Sequence, residues 1–267
     1  MSRTPTVHRG WQISTLVLAA VVVGGSIVAF NGKDAEEVPA VVATSTTASR
    51  TTSATVAPAE DSVYSSFIEN ATGSQVTYLS LDDDFHTGTS TERFARPALS
   101  LSKLYIADYV LDHGSAAEQS LATEMISTSS NAAAQLLYEK YPESIDGTAD
   151  KYGLLSTRGA ERWGYAMTST YDLAKFLAEL IKKDKNSKIL QAMKNSTDVA
   201  ADGYPQDWGT AVLPGVEGSK WGWSDDYQLH SSISFGEDFV VAAAVTGTKD
   251  DLTELVQNQL GEVTAKK

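Results

Sequence analysis

The chain has 267 residues, with 21 Lys and Arg against 34 Asp and Glu, for a formal net charge of −13. That acidity argues against nucleic acid as a partner, because a chain that neutralises phosphates carries a basic face. No Cys and four His exclude disulfides, thiolate chemistry and a His-rich metal centre, leaving hydroxyl, carboxylate and amine chemistry with no sign of a metal or organic cofactor.

Residues 1–12 carry Arg3 and Arg9 and no acid. Residues 13–30 (ISTLVLAAVVVGGSIVAF) are almost wholly apolar, and roughly 20 such residues cross a bilayer once. This predicts a transmembrane signal-anchor, since the run exceeds the ~7–15 residues of a cleaved signal core and no small-x-small site follows it directly. A cleaved secretion signal is the alternative. The positive flank stays cytoplasmic, so the working part is expected outside, tethered to the cell membrane or secreted. Residues 31–60 are rich in Thr, Ser and Ala without an apolar period, and are expected to form a flexible linker. One folded domain is expected over residues 61–264.

Within it, residues 63–70 read as a helix and residues 75–81 alternate like a strand. Residues 99–111 form an apolar-striped helix preceded by Pro97, which cannot sit in a helix interior. Further helices are expected at 116–126 and 131–138. Residues 168–182 give the strongest amphipathic helix, with Leu173, Phe176, Leu177 and Leu180 on one face. Three strand-like runs follow at 215–221, 228–235 and 239–245, then a closing helix at 250–260. The order predicts an α+β fold, its antiparallel sheet taking strands from both ends of the domain around an all-helical middle.

Three short motifs carry chemistry. Ser100-Leu-Ser-Lys103 opens the helix after Pro97. Positions i and i+3 are neighbours on a helix face, so the lysine amine lies one turn in from the serine hydroxyl. Serine is a poor nucleophile without an adjacent base, and lysine serves when burial and nearby positive charge lower its pKa. The plain alternative is a capping serine beside a solvated lysine. Ser129 and Asn131 stand at a loop-to-helix junction, where a hydroxyl could relay a proton and an amide hold substrate. Both residue types also favour helix starts as caps. Lys220 lies in Gly218-Ser-Lys220-Trp-Gly222-Trp on the first late strand. Gly222 lets a ligand or backbone approach closely, whereas an edge-strand lysine discourages aggregation.

Ser-x-x-Lys on a helix, Ser-x-Asn at a helix start and Lys-x-Gly on a late strand, in that order, resemble the serine β-lactamases and penicillin-binding proteins. Ala98-Leu-Ser100, Asn131-Ala-Ala-Ala-Gln-Leu-Leu and Leu229-His-Ser-Ser-Ile extend the resemblance, which is with the exported actinobacterial branch of that fold. It implies a β-lactamase/transpeptidase-like fold with Ser100 as the acylated nucleophile and Lys103 as its base. Ser129 would relay a proton to the leaving nitrogen, Asn131 would bind a substrate amide, and Lys220 would supply positive potential. The backbone N–H groups of Ser100 and Trp223 would hold the oxyanion, each donor of this type contributing ~2.7–4 kcal/mol. Gly222 would let the strand approach the substrate.

The departures narrow the expectation. Trp221 stands where these enzymes carry a Thr or Ser that contacts substrate carboxylate, and Ser130 replaces the usual Asp. Class A β-lactamases place a Glu-x-x-x-Asn loop before the helix at 168 to activate the deacylating water. Here the only acid in that segment is Glu161, without the Asn partner, and it reads as a surface acid. His230 on a strand reads as packed or solvated rather than as a triad member. Trp221 is still expected to bind substrate alongside Asn131 and Gly222, while Trp208, Trp221 and Trp223 as a group either line the cleft or cover core. The expected function is a monomeric serine hydrolase acting on cell-wall peptide or a related amide or ester. The alternatives are a β-lactamase and a catalytically silent scaffold that binds wall fragments or a partner.

Overall fold

The computed structural model describes residues 73–83 and 85–265. The signal-anchor, the linker and the helix expected at 63–70 lie outside these residues. No helix among the described residues is long and apolar enough to cross a membrane.

The architecture is the expected α+β arrangement. Strand β1 (Ser74–Ser80) is followed by the short β2 (His86–Gly88) and β3 (Arg96–Pro97), then by a 3-10 turn at Leu99–Leu101. Helices α1 (Ser102–His113), α2 (Ala116–Thr128), α3 (Asn131–Lys140) and α4 (Ser144–Tyr152) make the middle, and a second 3-10 turn follows at Trp163–Tyr165. Then come β4 (Met167–Thr168), α5 (Thr170–Lys183), α6 (Lys188–Lys194) and a third 3-10 turn at Gly209–Val212. The chain closes with β5 (Val216–Trp223), β6 (Leu229–Gly236), β7 (Phe239–Thr246) and α7 (Lys249–Ala265). One antiparallel sheet runs in the order β2-β1-β7-β6-β5, so the N-terminal strand pairs with the last one, from Ser74↔Val245 to Ser80↔Phe239.

Strand β7 reads FVVAAAVT, a continuous apolar run, because both of its faces are covered. The period of two sends Val240 and Ala242 into the core shared with α1, α2 and α5. Phe239, Val241, Ala243 and Val245 go into a second core beneath α7, with Leu252, Val256 and Leu260. The apolar stripe of α5 behaves as expected, with Leu173, Phe176, Leu177 and Leu180 all buried.

Three differences from the sequence reading have local causes. The helix expected at 168 begins two residues later, because Met167 and Thr168 pair with Pro97 and Arg96 and Ser169 caps the helix, accepting from Asp172 N–H at 3.1 Å. The helix expected from residue 99 is a 3-10 turn that becomes α-helical at Ser102. Helix α4 carries too few apolar residues to signal itself; tertiary bonds fix it to α1, Thr148 Oγ1 donating to Tyr105 O at 3.0 Å and Lys151 Nζ to Asp108 Oδ2 at 2.6 Å.

Candidate active site

Ser100 lies in the 3-10 turn, directly after Leu99, whose φ is +54°. A leucine in the left-handed region costs roughly 1–2 kcal/mol, so the turn that presents Ser100 is held by its surroundings rather than by its own preference. No side chain caps the turn; Ser102, not Ser100, makes the local bond, donating to Leu99 O at 2.8 Å. The capping alternative for Ser100 is therefore not the arrangement found.

Lys103 sits one turn into the structure, fully buried. Its Nζ donates to Ser100 Oγ at 3.0 Å, to Ser129 O at 2.7 Å, to Ser129 Oγ at 3.3 Å and to Asn131 Oδ1 at 2.7 Å. Ser129 ends α2 with φ +56°. That left-handed turn directs its carbonyl and hydroxyl at the lysine, while Ser130 takes the capping role by accepting from Ala133 N–H at 3.2 Å. The division of labour frees Ser129 and Asn131 for the site.

Lys220, also fully buried, donates to Ser129 Oγ at 2.7 Å. One connected path thus runs Ser100–Lys103–Ser129–Lys220, joining three distant stretches of chain. Burial, and secondarily the charge of Lys220, push the Lys103 amine down to about 6, with Asp202 opposing. Burial lowers Lys220 to about 7, again opposed by Asp202. A neutral Lys103 beside the Ser100 hydroxyl has the protonation state of a general base.

Strand β5 forms the sheet edge against this turn. A Cβ on Gly222 would lie 2.9 Å from both Leu99 Cβ and Ser100 N, so only glycine allows the strand this close. The ladder bond Ser224 N–H to Leu229 O points residue 224 toward β6, and alternation turns the N–H of Trp223 outward, to the edge beside the cleft. The cleft, of about 480 Å³, is lined by Ser100, Asn131, Trp163, Tyr165, Asp202 and Trp223 among others.

Trp221 does not belong to this site. It is 4% exposed, its Nε1 donates to Trp208 O at 2.8 Å, and it packs in the core beneath α7. With Lys220 directed at Ser129 and Gly222 set against the Ser100 turn, the strand period places residue 221 on the opposite face; the expectation that it contacts substrate is corrected. Trp208 covers the same core, whereas Trp223 lines the cleft and packs tilted against Tyr204, 4.7 Å between centroids. His230 is packed, bridging Tyr204 OH at 2.9 Å and Gly247 O at 2.8 Å. Glu161 is exposed and does not line the cleft.

Sequence reasoning missed Trp163 and Asp202. The Trp163 ring lies 4.7 Å from Lys103 Nζ, and Asp202 lines the cleft and acts on both lysines. Neither position has a motif; both are brought in by loops. Among the described residues no cluster of His, Asp or Glu is arranged to hold a metal ion.

A helical half packed against a five-stranded antiparallel sheet, with a buried Ser–Lys pair between them, is the architecture of the serine β-lactamases and penicillin-binding proteins. The TLA-1 extended-spectrum β-lactamase superposes with a TM-score of 0.58 at 15% identity, over 77% of this chain and 96% of its own. Penicillin-binding protein D2 from Listeria monocytogenes gives 0.54 at 16%, over 74% and 98%. The D-alanyl-D-alanine carboxypeptidase from Mycobacterium tuberculosis gives 0.51 at 17%, over 67% and 85%. The chain belongs to the β-lactamase enzyme family, whose model Beta-lactamase2 matches residues 114–266. That range holds Ser129, Asn131 and Lys220 and begins after Ser100 and Lys103. No curated protein matches the chain in sequence.

Proposed function

We propose that the chain is an exported serine acyl-transfer enzyme, tethered to the cell membrane by residues 13–30, that forms an acyl-enzyme at Ser100 on peptidoglycan peptide or a related amide or ester. Lys103 takes the Ser100 proton as the hydroxyl adds to the substrate carbonyl. The N–H groups of Ser100 and Trp223 hold the oxyanion, and Ser129, hydrogen-bonded to both lysines, relays the proton taken by Lys103 to the leaving nitrogen. Asn131 binds a substrate amide while holding Lys103. The observation that carries this reading is the Lys103 amine, 3.0 Å from Ser100 Oγ and lowered to about 6.

The family match favours a second reading, a β-lactamase. Against it stands Glu161, exposed and away from the cleft lining, which leaves no carboxylate from that segment to activate a deacylating water. One experiment separates the readings: intact-protein mass followed over time after mixing with a penicillin. A lasting mass gain that is lost in Ser100→Ala supports the peptidase; rapid return to the starting mass supports the β-lactamase. No gain, with muropeptide binding intact, supports a silent scaffold.

A further inference from the structure

The acyl-transfer reading, on which the following rests, leaves one cleft side chain without a part. Trp163 begins the 3-10 turn Trp163–Tyr165, packs against the core of the helical half and lines the cleft together with Ser100. Its ring lies over Lys103 Nζ, 4.7 Å from centroid to nitrogen. The same nitrogen already reaches Ser100 Oγ, both oxygens of Ser129 and Asn131 Oδ1. With the indole face added, the Lys103 side chain has no exposed surface.

Hydrolysis of an ester at Ser100 needs a water whose oxygen bonds to the acyl carbon as the carbon–Oγ bond breaks. One water proton must pass to a base and on to Ser100 Oγ. The chain segment crossing this side of the cleft contributes Arg162, Trp163, Gly164 and Tyr165 to the lining and no carboxylate. The carboxylates of the cleft, Asp202 and Asp225, come from other loops, whereas Lys103, 3.0 Å from Ser100 Oγ, is the base beside the ester oxygen, and the indole covers its nitrogen. We infer that Trp163 sets the lifetime of the acyl-enzyme, by keeping water from Lys103. Trp163 is thus a specificity-determining residue: it disfavours hydrolysis without touching the bond that is made on acylation. The ring face, rich in π density, also suits a lysine N–H directed at it.

The test uses the full chain and a penicillin, with intact mass read over time for wild type, Trp163→Ala and Trp163→Phe. The adduct is expected to decay by about tenfold or more faster in Trp163→Ala, as a base regains access to water, and at close to the wild-type rate in Trp163→Phe, which restores the aromatic cover. Decay is followed only in molecules that have been acylated, so partial misfolding does not enter the rate. Should Trp163→Ala take no label, Trp163→Val, which likewise uncovers the lysine but keeps a small apolar side chain, carries the same comparison. Adduct decay equal to wild type in the labelled variant would overturn the inference. A wild-type chain that gains no mass at all overturns the acyl-transfer reading instead, so the two failures are distinct.

Discussion

Lys220 and Lys103 converge on one hydroxyl, their Nζ atoms lying 2.7 and 3.3 Å from Ser129 Oγ. Two buried ammonium groups around one oxygen repel each other and have both lost water, and the chemistry follows from which of them keeps its proton. Lys103 falls to about 6 and Lys220 to about 7, so between those values a neutral base and a charged donor coexist.

Acylation of Ser100 is therefore expected to show a bell-shaped pH profile. Its rate rises as Lys103 loses a proton near pH 6 and falls as Lys220 loses one near pH 7, the two limbs belonging to the coupled pair. Stopped-flow acylation by a chromogenic cephalosporin measures it. A rate that still climbs through pH 9 contradicts the assignment of roles.

Asp202 raises both lysines. Removing its charge in Asp202→Asn lowers both, and the whole bell should move to lower pH with little change in height. An unmoved profile would mean that the carboxylate is too well solvated to reach the pair.

Lys103→Ala leaves Ser100 without a base. Acylation should slow by about 10²–10⁴-fold, the usual worth of a positioned base, while thermal unfolding still shows a cooperative transition. An unchanged acylation rate in this variant would falsify the role of Lys103.

Gly222→Ala tests the approach of β5 to the nucleophile turn. The new methyl would lie 2.9 Å from Ser100 N, so the strand must retreat, at a cost of about 1–3 kcal/mol typical of overpacking. The retreat also separates the oxyanion donors. We expect a lowered denaturation midpoint together with a loss of acylation; stability lost with full activity would place the oxyanion site elsewhere.

Trp221→Ala should behave in the opposite way. It empties a buried volume beneath α7 and costs about 3–5 kcal/mol, yet acylation per folded molecule stays near wild type, because no part of its side chain lines the cleft. Urea denaturation and active-site titration on the same sample separate the two quantities.

Much of the fold was legible because local patterns are strong where one face is buried. The stripe of α5 and the three late strands obey the periods of helix and sheet, and the short α4 escaped because bonds to Tyr105 and Asp108, far off in sequence, hold it. The site divides in the same way. Ser100 and Lys103 are one helical turn apart and can be read together, whereas Ser129, Asn131 and Lys220 were singled out by the order of motifs that resembles the serine β-lactamases.

By itself the chain determined which hydroxyls and amines were available, and that helices would intervene between two sets of strands. Only the tertiary structure decided their use. Burial by the packed halves strips water from Lys103 and Lys220 and so sets their charge. The pleat of β5 turns Lys220 toward Ser129 and Trp221 into the core on the other face. Trp163 and Asp202 acquire their places from loops whose course depends on every contact beneath them; such contacts leave no periodic mark in the sequence, because they join residues that are neighbours only after folding.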